Sequence, residues 1–395
     1  MRTAYLKGGD VVRHFESIAS AGGGAVTDGP DLFINEFMKT SDAEHLLLLS
    51  RHRRHERYTG KGITAVVFNG DGWLVVKALR RTRIFLEVLR DLLRFRPDRV
   101  LCGRKGNLLW ASFVVSRVLG VPLVFSTHTR IWSDADSWSK RLALAVDHWC
   151  MRRANFVLCH GPFLREQLLA VGVDADRIIE FDVSFDGFVE DRESEGQGEA
   201  DATVLFSGRI EKEKGVFDLL EAFIEISRED ERVRLVYAGD GSQLPALKNL
   251  VRKRGLQHRV TFLGQVPHAR MGEVIQGCTV LVTPTRSEFP EGRCMAAMEG
   301  LVMGVPVIGP DVGPFPYLIT HGRNGLLYRA DSVEDLADKL RLALYDRDLR
   351  ERMRRGAFET GRGLLKPPRS FGQAVAQAFA AAGNGAGRPS RQAAG

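Results

Sequence analysis

Cysteine is scarce in this 395-residue chain: Cys102, Cys150, Cys159, Cys278 and Cys294, an odd number with no CxxC pair. That argues against a disulfide framework and against the usual zinc-ribbon spacing. Four of the five sit in or beside apolar runs, as buried free thiols of a reducing, cytoplasmic protein do. Long hydrophobic runs are missing as well. The best candidate, residues 108–126, is broken by Arg117, Gly120 and Pro122, so no membrane span is expected. The opening MRTAYLKGGDVV lacks the apolar core of a signal peptide. No HExxH, paired Cys/His set or GxSxG elbow occurs, which argues against hydrolase chemistry.

What is present is an ordinary globular composition, 44% hydrophobic and 27% charged, in a chain long enough for two cores. The net charge of +7 is unevenly placed. Residues 51–105 hold 15 Lys and Arg against five Asp and Glu, a local +10, so the remainder carries −3. Such asymmetry points to an anionic partner, membrane surface or otherwise. Aromatic residues are too sparse there for nucleic acid, which is not expected as a partner.

Short apolar strands alternate with longer helical patterns, the signature of α/β architecture with parallel sheets. Strands fit 3–6, 45–50, 63–68, 100–103, 123–127 and 156–159, with helices at 31–38, 75–95, 108–119, 137–153 and 163–171. The polar run EDRESEGQGEAD at 190–201 reads as a linker. A second series follows: strands at 204–207, 235–238, 260–263, 279–283 and 305–308 alternate with helices. The expected domains are 1–190, joined by a helix at about 369–383, and 202–365, with a disordered tail at 384–395. Ligands of doubly wound folds bind at the carboxyl ends of strands, so a cleft between two such edges is expected.

The most informative stretch is TPTRSEFPEGRCMAAMEGLVMGVPVIGP, 283–310, with a helix between two buried strands. Glu291 at the helix mouth and Glu299 eight residues on differ by roughly 80° around a helix, so both can face one side. Backbone N–H groups at Gly292, Arg293 and Cys294 offer an anion site. The plain alternative is a solvated face, with Glu291 favouring the helix dipole. Upstream, SGRIEKEKG places Arg209 and Lys214 in a strand-to-helix loop, where two cations can clamp a diphosphate or simply form a charged turn. YAGDG at 237–241 ends a strand with Gly239 and Gly241, permitting close backbone approach. GGGAVTDGP at 22–30, including Gly23 and Gly24, can do the same or be only a turn; it is no GxGxxG match. His128 ends the strand LVFSTHT, as either a functional or a hydrogen-bonded structural residue. Asp134/Asp136 and Asp174/Asp176 have D-x-D spacing but follow no strong strand, so no metal is expected.

In order and spacing, SGRIEKEKGVFDLLEAF, YAGDG, VTFLGQVP and EGRCMAAMEGLVMGVPVIG resemble the retaining GT-B glycosyltransferases of family 4, best over 203–345. The resemblance implies two Rossmann-like doubly wound domains facing across a cleft. It implies transfer of a hexose from a nucleoside-diphosphate sugar, UDP favoured over GDP, to a sugar or lipid-linked hydroxyl, in polysaccharide or glycolipid synthesis. Arg209 and Lys214 would hold the diphosphate, Glu299 the ribose and Glu291 a sugar hydroxyl. Residues 292–294 would hold sugar and phosphate, Leu263 and Val266 would flank the base, and His128 would face the sugar. No cofactor or metal is implied. Arg293 and Cys294 depart from the family's usual aromatic-glycine pair; Arg293 would meet a substrate anion or pair with Glu288. The alternatives are a nucleotide-sugar epimerase of similar architecture and a non-catalytic nucleotide-sugar-binding module. The basic stretch 51–105 would bring a peripheral protein to an anionic membrane, its helix 75–95 interleaving Lys77, Arg80, Arg81, Arg83, Arg90 and Arg94 with Val76, Leu79, Leu86, Leu89 and Leu93.

Overall fold

The computed structural model describes residues 1–8, 33–34, 36–37, 40–42, 44–52, 56–60, 63–69, 74–131, 137–183, 185, 202–289 and 291–384. The expected loop 22–30, the linker 190–201, the Asp134/Asp136 pair and residues 385–395 of the tail lie outside them. The chain divides into two compact units, Met1–Val183 with Pro368–Gly395, and Ser184–Pro367.

In chain order the first unit contains β1 (Arg2–Gly8), β2 (His45–His52), β3 (Glu56–Gly60), β4 (Ile63–Asn69), α1 (Leu74–Phe95), β5 (Arg99–Cys102), α2 (Asn107–Leu119), β6 (Leu123–Thr127), α3 (Trp138–Arg153), β7 (Phe156–His160), α4 (Pro162–Ala170) and β8 (Ile178–Phe181). Its sheet runs β3-β4-β2-β1-β5-β6-β7-β8, parallel throughout except for the antiparallel β3–β4 pair. Strand alternation feeds two layers. Ala4, Leu6, Leu47 and Leu49 join Ile84, Val88, Leu92 and Leu109 on one face. Tyr5, Leu46 and Leu48 join Phe371, Ala374 and Val375 of the C-terminal helix Phe371–Gly383 on the other. That helix starts at a capping box, with Ser370 and Gln373 satisfying each other's backbone N–H.

The second unit contains β9 (Thr203–Ser207), α5 (Val216–Glu229), β10 (Arg234–Ala238), α6 (Leu244–Lys253), β11 (Val260–Gly264), α7 (His268–Gln276), β12 (Val280–Val282), α8 (Met295–Val302), β13 (Val307–Pro310), β14 (Gly325–Tyr328), α9 (Val333–Tyr345) and α10 (Arg347–Leu365). Its sheet, all parallel, runs β11-β10-β9-β12-β13-β14. Val204 and Phe206 point toward α5 and α9, and Leu205 toward α8 and α10. Strand order reverses at β9, whose neighbours are β10 and β12. The carboxyl ends of β9 and β12 therefore flank a crevice of the kind that takes ligands in such sheets.

The strands β3, β8 and β14 were not anticipated. All three are sheet edges. ERYTG in β3 is largely polar, and β8 and β14 span only four residues each, too short to establish a period.

Candidate functional site

The loop after β9 is shaped by backbone contact. Gly239 has φ +144°, and a Cβ there would lie 1.8 Å from the Gly208 carbonyl oxygen. Gly215, at φ +69° before α5, would bring a Cβ within 1.8 Å of the Pro284 carbonyl oxygen. Only glycine fits either place. Gly208 N–H donates to Ala238 at 3.0 Å and Gly239 N–H to Gly264 at 2.7 Å, which fixes three strand ends together. Glu211 turns away from the crevice, accepting from Ser242 N–H at 3.0 Å and from its Oγ at 2.6 Å.

The loop after β12 is tied to the same place. Arg286 N–H donates to the Glu213 carbonyl at 3.0 Å, and its guanidinium holds both Asp218 oxygens at 2.9 and 3.2 Å. Lys214 forms an ion pair with Glu291, with 17% and 14% of the two side chains exposed. Phe289 lies under both cations of the expected clamp, its ring centroid 4.2 Å from Lys214 Nζ and 5.9 Å from Arg209 Cζ. The structure thus gathers Arg209 and Lys214 around one ring, with Glu291 paired to Lys214. Sequence reasoning missed Phe289; an aromatic residue two positions before the acidic turn was the only signal for it.

One expectation is corrected. The helix begins at Met295, with Cys294 as its N-cap. Glu291 therefore stands in the preceding loop, and only Glu299 is helical, so counting 100° per residue between them does not apply. Gly292, Arg293 and Cys294 are buried ahead of the helix, and Glu299 is half-buried within it. Burial, then the Glu291 carboxylate, pushes the Cys294 thiol up to about 12. It is no thiolate nucleophile near neutrality. Arg293 is 9% exposed, and Glu288 forms an ion pair with Arg286 at 3.5 Å. Leu263 at the end of β11 is exposed, and Val266 follows it half-buried.

His128 belongs to the first unit. It lines a cavity of ≈ 470 Å³ together with Gly103, Arg104, Lys105, Phe125, Ser126, Thr127 and Thr129 at the carboxyl ends of β5 and β6. Ser126 Oγ lies 3.1 Å from His128 Nε2, and the Phe33 ring is 4.2 Å away. Burial, then His160 and Lys7, holds the imidazole well below its ordinary value, so it is neutral at pH 7. Asp147, also unanticipated, shapes the same rim by accepting from Gly106 N–H and Trp110 Nε1, both at 2.8 Å. Asp174 is engaged with Arg177 and Asp176 lies in the same short turn. Among the described residues, no three His, Cys, Asp or Glu side chains cluster to hold a metal ion. Gly23 and Gly24 lie outside the described residues.

Residues 188–360 match the family described as glycosyl transferases group 1, and residues 41–181 match the glycosyl transferase 4-like domain. Among curated relatives, the alpha-D-kanosaminyltransferase of Streptomyces kanamyceticus is 29% identical over 300 residues, 69% of this chain and 75% of that one. The sulfoquinovosyl transferase SQD2 of Arabidopsis thaliana is 26% identical over 290 residues, 69% of this chain and 54% of that protein, so this chain spans about half of its length. Among solved structures, Anabaena Alr3699/HepE in complex with UDP is similar at a TM-score of 0.67 and 16% identity, covering 96% of this chain and 100% of that one.

Proposed function

This chain is a glycosyltransferase of the GT-B fold acting on nucleotide sugars, and we propose that it is a retaining enzyme using a UDP-sugar in the second unit. The observation that carries this reading is the convergence of Arg209 and Lys214 on Phe289, with Glu291 paired to Lys214, where the strand order reverses. Two cations beside the buried Gly292–Cys294 backbone suit a diphosphate that gains charge as it leaves. Glu291 suits a hydroxyl of the transferred sugar, and Glu299 the ribose. Leu263 and Val266 would flank the base. UDP is favoured because the similar Anabaena protein was solved with UDP and with UDP-glucose.

In the reaction the anomeric carbon loses its bond to the diphosphate oxygen and gains one to the acceptor oxygen. The acceptor proton passes to the departing phosphate on the same face, which retains configuration. The pair Arg209 and Lys214 would stabilise the leaving group. The cavity beside His128 would take the acceptor, a sugar or lipid-linked hydroxyl of the kind used in cell-surface polysaccharide or glycolipid synthesis.

The test is a panel of UDP- and GDP-sugars scored by thermal shift and by nucleotide release, with NMR assignment of the product anomer. UDP release with an α product from an α donor supports the proposal. An inverted product removes the retaining mechanism. Conversion of the donor to another sugar without acceptor indicates an epimerase, and binding without turnover a non-catalytic module.

A further inference from the structure

The cavity at the carboxyl ends of β5 and β6 carries charge of one sign. Among the described residues that line it, Arg104 and Lys105 are cations, Ser126, Thr127 and Thr129 bear hydroxyls, and none is an acid. Its volume of ≈ 470 Å³ falls in the range of small-molecule sites. Lys7, buried in β1, lies close enough to disfavour a charge on His128, so a third cation adds to the same positive potential.

The turn that carries the two lining cations is held from outside. Gly106 N–H donates to Asp147 at 2.8 Å, which ties the turn to α3. Cys102 Sγ donates to the Arg104 carbonyl at 3.2 Å, and Lys105 Nζ donates to the Arg130 carbonyl at 2.9 Å. That carbonyl takes one of the three ammonium protons and fixes where the nitrogen stands. Burial, opposed by the Asp147 charge, lowers the Lys105 pKa. Asp147 bonds the Gly106 N–H and Trp110 Nε1 through the same oxygen. Among the described residues, neither Arg104 nor Lys105 has a carboxylate in ion-pair contact. α2 starts directly after the turn with no side-chain cap, so the positive end of its dipole adds to the two cations.

An exposed arginine by itself would indicate nothing, because water satisfies it. A half-buried ammonium aimed by a carbonyl, beside a guanidinium and several hydroxyls, has the composition of an oxyanion site. We propose that this cavity binds a phosphate carried by the acceptor, with Lys105 as the point charge and Arg104 as the planar fork. The inference rests on the reading of the cavity as the acceptor's place and adds the acceptor's chemistry: its hydroxyl belongs to a molecule that already bears phosphate. A phosphate is favoured over a carboxylate because two cations and a helix end match a charge of about −2.

The experiment treats the full chain with pyridoxal 5′-phosphate, followed by borohydride reduction and peptide mass spectrometry. The phosphate should occupy the site while the aldehyde forms an imine with Lys105, whose lowered pKa leaves more free amine than an ordinary lysine has. Saturable labelling of Lys105 is expected, with inorganic phosphate and glucose 6-phosphate protecting it and glucose giving no protection. Protection by farnesyl diphosphate but not by glucose 6-phosphate would place the phosphate on a lipid carrier rather than on the sugar. Arg104→Gln should raise the half-saturating concentration by roughly tenfold or more, the usual loss of a hydrogen bond to a charged group, and Arg104→Lys should recover part of it. Arg104 is exposed, so both variants should melt like wild type, which is checked alongside. Lys214 serves as the internal reference: UDP should protect it and leave Lys105 labelled. No labelling of Lys105, labelling that none of the phosphates competes, equal protection by glucose, or an Arg104→Gln protein labelled like wild type would overturn the proposal. Failure of UDP to protect Lys214, with Lys105 behaving as expected, would instead overturn the donor reading.

Discussion

Lys214 donates a hydrogen bond from its ammonium group to the Glu291 carboxylate while the same nitrogen sits 4.2 Å from the centre of the Phe289 ring. Residues 77 positions apart in the chain thereby become one unit. The carboxylate aims the cation, and the ring fills the space beneath it. A substitution at any of the three should be felt by the others.

Replacing Lys214 or Arg209 with Ala is expected to lower kcat by about a hundredfold or more, the usual loss when a charge-stabilising contact at a leaving group is removed. Arg209 is exposed and Lys214 partly so, and the fold should survive, as circular dichroism would show. Turnover within a fewfold of wild type for both variants would remove them from the leaving-group role.

Phe289→Leu keeps an apolar body under the cations and deletes the ring face. A cation–π contact contributes about 0.5–2 kcal/mol, so donor affinity should fall by roughly two- to thirtyfold. Calorimetry with the nucleotide alone reads this directly, and unchanged affinity would mean the ring only fills space.

Glu291 and Glu299 should separate kinetically. On the proposed ribose role, Glu299→Ala would remove a contact made equally in ground and transition states, and should raise KM with little change in kcat. Glu291→Ala should lower kcat, both through the sugar and by releasing Lys214. Similar KM and kcat changes for the two variants would refute the division of roles.

His128 yields a stability prediction. Its folded-state pKa lies below the ordinary 6.5, so the unfolded chain binds the proton more readily. Its contribution is fully present above about pH 6.5 and is lost as pH falls toward the folded value. The melting temperature of wild type minus that of His128→Gln should therefore shrink between pH 7.5 and pH 5.5. A gap that stays constant or widens would show that the imidazole is not held neutral.

Much of the fold was legible because buried parallel strands such as LVFST and TVLFS are continuous apolar runs between amphipathic helices. The three strands that escaped notice are edges. Arg209 and Lys214 were legible as charges in the loop after a strand, where parallel sheets expose their carboxyl edges, and Glu291 as an acid between that region and a helix. Phe289 and Asp147 were not, because each acts through a spatial neighbour, Lys214 in one case and Trp110 in the other. The start of α8 was misjudged because EGRC carries no Ser, Thr, Asp or Asn to mark an N-cap, and the cap that forms is Cys294. The apolar pattern of α1 did not by itself identify its inner side: Leu86 and Leu93 are exposed, whereas Ile84, Val88 and Leu92 are buried.

The contacts of Gly239 with Gly208 and of Gly215 with Pro284 bear on how such an enzyme can change its substrate. The loops after β10 and β12 each touch the loop after β9 backbone to backbone, so an insertion at either contact would displace its partner. New donor preferences in this scaffold must therefore come from exchanging side chains at fixed loop length. Libraries that randomise Leu263, Val266, Phe289 and Arg293 should retain folded members far more often than libraries that vary loop size.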